Sequence, residues 1–188
     1  MGAKARRTPT SSRQIAFLRA INVGGHVVKM DRLREVFGEL GLANVQTFIA
    51  SGNVMFDTDE RDMAALEQRI ATHLERRLGY PVATFIRSPA ELAAIAAHTA
   101  FPSPVDGTGG LYIGFLGARP AAEAEAALMA FRSEADDFHV HGREVYWLCR
   151  TRFGDSRFSG GQLEKCLGLP ATMRNITSVQ RLLAQHGG

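Results

Sequence analysis

The segment LRAINVGGHVVKM, residues 18–30, carries the pattern in this chain that bears most directly on chemistry. An apolar run ends in Arg19, and Asn22-Val23-Gly24-Gly25 then leads toward a helical segment, with Lys29 on the far side. A strand that enters a helix through glycines can aim bare backbone N–H groups, reinforced by the helix dipole, at a negative group. The spacing matches neither G-x-x-x-x-G-K-[ST] nor G-x-G-x-x-G, so no nucleotide fingerprint is met. Glycine pairs also serve plain turns that need positive φ.

A second segment, RTRFGDSRFSGGQLEK (150–165), mixes Arg152, Arg157 and Lys165 with two phenylalanines and three glycines. It suits either charge-assisted anion contacts or a solvated loop anchored by its aromatic rings. ATMRNITS places Arg174 and Asn175 just before a helix start, where Asn175 or Thr177 can cap. His139 and His141 lie two apart on a strand, with both rings on one side as a metal pair requires, but the sequence names no third ligand. No metal or cofactor is therefore assigned. Ser51, His26 and Asp57 can be written as a triad, yet nothing in their spacing favours nucleophilic catalysis, and whether the protein is an enzyme stays open.

Charge narrows the partners. Lys4, Arg6, Arg7 and Arg13 together exceed the formal net charge of +3, so the rest of the 188-residue chain is slightly acidic. Its remaining basic excess lies after residue 142. A wide nucleic-acid groove is thus not the reading these charges support. GNVMFDT also lacks the aromatic pattern of an RNA-binding sheet. No long apolar run is present and residues 1–13 have no apolar h-region, so neither a membrane span nor a secretory signal is expected. Cys149 and Cys166 show no C-x-x-C or zinc spacing and are expected as free thiols. Residues 1–13 are expected as a disordered basic leader, 14–100 as one α+β half and 101–188 as a second.

The elements that must position these residues follow from periodicity. QIAFLRAI (14–21) reads as a buried strand. Leu33, Val36, Phe37 and Leu40 mark one face of a helix with Asp31 as its N-cap. NVQTFIA and NVMFDT flank Ser51-Gly52 as a hairpin, 61–78 is a helix closed by Gly79, and VATFIRS is a strand. This order, β-α-β-β-α-β, is the ferredoxin-like unit. Ser88-Pro89-Ala90-Glu91 is a capping box for a further helix, and residues 101–110 form the linker. The second half repeats β-α-β-β and is expected to end in helices opened by capping boxes at Ser159 and Thr177, in place of a final strand. Tyr146 and Trp147, adjacent on a strand, are expected to divide between core and surface.

FLRAINVGGHVVKMDRL, VQTFIASGNVMFDT and KCLGLPATMRNITSVQRL together resemble the bacterial family "domain of unknown function 1697", over nearly the whole chain after the leader. Ala20 stands where that family has glycine, which implies that no positive φ is needed there. Ile176-Thr177-Ser178 keeps the family's pattern only in part. The resemblance implies a cytoplasmic α+β protein and supplies no reaction. In the ferredoxin-like order the end of strand one lies beside the start of strand three, bringing Arg19 and Asn22 near Ser51 and Asn53. The resulting expectation is a small anionic ligand, nucleotide-like molecules included, held by Arg19, Asn22, Gly24, Gly25, Ser51 and Asn53, with Arg174 and Asn175 closing the site. The alternatives are a protein-interaction or self-association module, and nucleic-acid binding through the leader and the C-terminal arginines.

Overall fold

The computed structural model describes residues 11–22, 25–49, 52–102 and 109–186. The leader as far as residue 10, and Gly24 and Ser51 of the expected anion site, lie outside them. Strand β1 (Ser12–Leu18) takes in Arg13, because its guanidinium donates to Asn44 O and to the Asp57 carboxylate across the sheet. It is followed by α1 (Met30–Gly38), β2 (Ala43–Phe48), β3 (Asn53–Thr58), α2 (Met63–Leu78) and β4 (Thr84–Arg87). The strands form an antiparallel sheet in the order β2-β3-β1-β4, the expected ferredoxin-like arrangement. Helix α1 begins one residue before Asp31 and has Lys29 as an N-cap with no side-chain cap bond. Asp31 instead pairs with Arg34 one turn on. Helix α3 (Pro89–Ala97) opens on the full capping box at Ser88 and Glu91.

The second half comprises β5 (Gly110–Leu116), α4 (Ala122–Met129), β6 (Asp136–His141), β7 (Glu144–Cys149), α5 (Gly160–Leu167) and β8 (Ala171–Asn175), then α6 (Ile176–His186). Its sheet order, β6-β7-β5-β8, repeats the first. The expected helical C-terminus is present as α6, but helices do not replace a final strand: Ala171–Asn175 pairs antiparallel with β5. Five residues between Pro170 and a helix are too few to display a period. The cap moves as well, since α6 starts at Ile176 and Asn175 Oδ1 accepts the Thr177 N–H. Each half is thus six elements in one order plus a trailing helix.

Alternation along the strands sorts the core into three layers. Ala16, Leu18, Val54, Phe56 and Ile86 face α1 and α2, meeting Leu33, Phe37, Ile70 and Leu74. Ile15, Phe17, Met55 and Phe85 point the other way, onto Ile113, Phe115 and Tyr146 of the second sheet, with Leu92 and Ile95 of α3 and Val179 and Leu182 of α6 completing this central layer. The outer face of the second sheet packs Val145, Trp147 and Phe138 against Leu128 of α4 and Leu163 and Leu167 of α5. The sheets therefore lie face to face, each with its own helices outside. Tyr146 and Trp147 are both fully buried rather than divided, because both faces of β7 are covered. Among the described residues no helix is long and apolar enough to cross a membrane.

At the centre of the joint the rings of Phe17 and Phe115 stack with centroids 4.0 Å apart and planes 6° apart. They occupy equivalent places, each opposite the first residue of its neighbouring strand, Asn53 or Glu144. Phe17→Ala should cost about 3–5 kcal/mol, read as a fall in the denaturant midpoint of a single transition. Loss of under about 1 kcal/mol would mean the two sheets do not depend on this contact.

Candidate functional site

The residues expected at the anion site are best followed from Arg174. It stands on β8 opposite Ile113, as Arg87 stands on β4 opposite Ile15, and both side chains are buried and cross into the other half. Arg174 Nη2 donates to Leu18 O (3.0 Å) and Gly52 O (3.4 Å), Nη1 to Met173 O (2.8 Å), and Nε to Asn53 Oδ1 (2.7 Å). Arg87 makes the equivalent set: Nη2 to Leu116 O (2.9 Å) and Arg143 O (3.5 Å), Nη1 to Ile86 O (2.7 Å), and Nε to Glu144 Oε1 (2.7 Å). Each guanidinium also lies over the central phenylalanine of the half it enters, Phe17 or Phe115, at under 6 Å. Burial brings the Arg174 pKa down to about 10, so it stays cationic near neutral pH, and burial lowers that of Arg87 against the pull of Glu144.

Arg174 and Asn53 are therefore brought together as expected, but inside the joint between the halves. Asn53 also donates to Phe48 O. Asn175 is the helix cap described above. Arg19 does not face the hairpin turn; its Nε and Nη2 clasp the Glu164 carboxylate of α5, with Nη2–Oε2 at 2.6 Å. Glu164 in turn accepts Ala171 N–H at 2.7 Å. Burial pushes its pKa up, yet these bonds outweigh that and hold it below the ordinary carboxylate range, while the bond to Glu164 raises that of Arg19. The charge assigned to an anion is thus spent on an ion pair between halves.

Hydrocarbon fills the space beside the hairpin turn. A Cβ on Gly52 (φ +74°) would lie 2.6 Å from Ile21 Cγ2 and 3.2 Å from Leu18 Cβ. Ala20 has φ +57°, so the backbone there does adopt the left-handed region, correcting the expectation drawn from the missing glycine. An alanine in that region costs about 1–2 kcal/mol. Asn22 Oδ1 accepts Val28 N–H (2.8 Å), folding the loop back on itself, and Gly25 supplies the positive φ of +86°.

An open cleft of about 430 Å³ lies just past this loop, lined by His26, Val28, Lys29, Arg32, Arg77 and Tyr80 among others, and by no carboxylate among the described residues. The Tyr80 hydroxyl donates to Ile21 O (2.9 Å), and its ring stacks on His26 with centroids 3.9 Å apart. Arg77 pairs with Glu39 at 2.7 Å and Arg32 with Glu35 at 3.1 Å. Among the described residues no carboxylate lies within ion-pair distance of Lys29. Lys29 was legible in the sequence as the basic residue flanking the loop. Arg77 and Tyr80 were not, because only the close of α2 carries them there.

The family model described as "Protein of unknown function (DUF1697)" matches residues 12–146, and the chain belongs to that family. No curated protein matches its sequence. The solved structure of conserved bacterial protein SP0830 from Streptococcus pneumoniae is similar over 93% of this chain and 98% of that one, with a TM-score of 0.73 and 19% identity. At that identity the likeness is one of fold.

Two measurements check these assignments. Arg174→Ala should cost about 3–5 kcal/mol, since it removes a buried side chain whose bonds to Leu18 O and Asn53 Oδ1 tie β8 to the first half. A near-neutral result would remove the arginine joint as a support of the fold. Glu164→Gln should cost about 1 kcal/mol at neutral pH, a value discounted because Arg19 is well exposed. A depressed folded-state pKa contributes stability that is present above the ordinary carboxylate value and lost as pH falls through the folded value. The gap between wild type and Glu164→Gln should therefore begin to narrow as pH falls below the ordinary carboxylate value of ~4.3 and close once it passes the lower folded value; a gap unchanged in acid would show that the ion pair is not its source.

Proposed function

We propose that the protein binds a small anion, nucleotide-like molecules included, in the cleft at the foot of the first strand-to-helix loop. The observation that carries this reading is the lining: Lys29, with no carboxylate in ion-pair distance among the described residues, beside Arg32, Arg77 and a stacked aromatic pair. Lys29 and Arg32 stand at the start of α1, whose first-turn N–H groups have no side-chain cap. An anion there can accept from backbone N–H groups and from Lys29 together. Tyr80 and His26 offer a flat face for a planar group. The loop is the one singled out by the sequence, but the donors are Lys29, Arg32 and Arg77 in place of Arg19 and Arg174.

Nucleic-acid binding through the C-terminal arginines draws on fewer groups than the sequence suggests. Arg174 is buried, and Arg150 lies 3.8 Å from Asp137. The RTRFGDSRF segment is pinned by Phe158 against Trp147 and Phe138 and by Phe153 against Tyr112, which suits an anchored loop better than a mobile flap.

Calorimetric titration with AMP, inorganic phosphate and adenosine tests the cleft. AMP should bind, more weakly as salt rises, and adenosine more weakly than AMP. Lys29→Ala and Arg77→Ala should each weaken AMP binding about tenfold, the scale of one charge-assisted hydrogen bond. Binding unmoved by either substitution, or no binding of AMP or phosphate, would overturn the proposal.

A further inference from the structure

His139 and His141 project from β6, the edge strand of the second sheet, on the same face as Tyr146. Helix α3 lies over that face and ends in His98, whose backbone N–H closes the last turn on Ile95 O. A nitrogen from each of the three rings lies within 4.8 Å of the others. His98 Nε2 and His139 Nε2 are 3.1 Å apart, and the His98 ring stacks on His141 with centroids 4.2 Å apart. Tetrahedral ligands at 2.0–2.1 Å from an ion are about 3.3 Å from one another, so small ring rotations would bring all three onto one centre.

The scaffold holds this arrangement from both sides. His139 is paired in register with Tyr146, and His141 with Glu144. The buried Tyr146 hydroxyl donates to Ile95 O at 2.9 Å, tying the end of α3 to the sheet that bears the other two rings.

We propose that His98, His139 and His141 form a site for one divalent transition ion of the imidazole-preferring class, zinc above all. Three imidazoles without a carboxylate or thiolate suit zinc, nickel, cobalt or copper rather than magnesium or calcium. Three protein ligands leave a fourth position for water or an exchangeable anion, the pattern of catalytic rather than structural zinc sites. His141 is exposed and also lines an open cleft of about 320 Å³ with Glu91 and Arg143, so such a ligand has a route in from solvent. The sequence contained the strand pair; the fold supplies the third ring from the helix 41 residues earlier.

Titration of tag-free, chelator-stripped full-length protein with zinc should give one ion per chain, and His98→Ala, His139→Ala and His141→Ala should each lower the affinity at least about tenfold. His141 is exposed, so its substitution reads the site without disturbing the core. The cobalt-loaded protein should show intense tetrahedral bands, no thiolate charge-transfer band, and a shift on adding azide to the fourth position. The proposal is overturned by absence of stoichiometric binding, by unchanged affinity in His98→Ala or His141→Ala, or by a thiolate band, which would place the ion on Cys149 or Cys166. Bands unmoved by azide would remove the open position.

Discussion

Two guanidinium groups crossing in opposite directions between two stacked sheets are the constraint around which this molecule is arranged. Each sheet has one face under its own helices and would expose an apolar second face if it stood alone. Packing the two second faces together buries Ile15, Phe17, Phe85, Ile113 and Phe115. It also buries the carbonyls of Leu18 and Leu116 at the strand ends, which need donors, beside those of Gly52 and Arg143, which already accept Leu18 N–H and Leu116 N–H. A forked side chain with five N–H groups, entering from the last strand of the opposite half, meets several of them at once.

Such a joint is costly to build and specific once built. Burying a cation carries a desolvation penalty of several kcal/mol that only good geometry offsets. The two arginines meet that requirement differently. Arg87 has Glu144 at 2.7 Å and Glu67 at 3.9 Å, whereas the position equivalent to Glu144 beside Arg174 is held by the neutral Asn53. Burial raises the pKa of Glu67, against the N–H of Ile86 and the charges of Arg143 and Arg87. The backbone plan is thus two-fold while its electrostatics are not, and the charged version of the joint enters the half that also carries His139 and His141.

This arrangement leaves the candidate ligand sites outside the joint. Arg19, Asn53 and Arg174 look from the sequence like an anion site because they are polar residues at strand ends. Strand ends are also where two stacked sheets must satisfy their carbonyls. With those groups engaged, the cation-lined cleft sits at the edge of the first half, and the histidine cluster sits at the edge of the second sheet, where α3 crosses over.

Apolar runs and caps were enough to read the local order from the sequence. The continuous apolar runs in QIAFLRAI and NVMFDT, the apolar stripe of α2 ended by Gly79, and the Ser88 capping box are decided by neighbours within a few residues, so they were legible. The short β8 was not, because five residues between a proline and a helix show no period and become a strand only by pairing with β5. Burial of both Tyr146 and Trp147, the left-handed Ala20, the partners of Arg19 and Arg174, and the meeting of His98 with His139 all depend on contacts between residues more than 25 positions apart or on the packing of one sheet over another. A side chain's type fixes what it can bond, but only the packed chain decides which complementary group arrives within 3 Å of it.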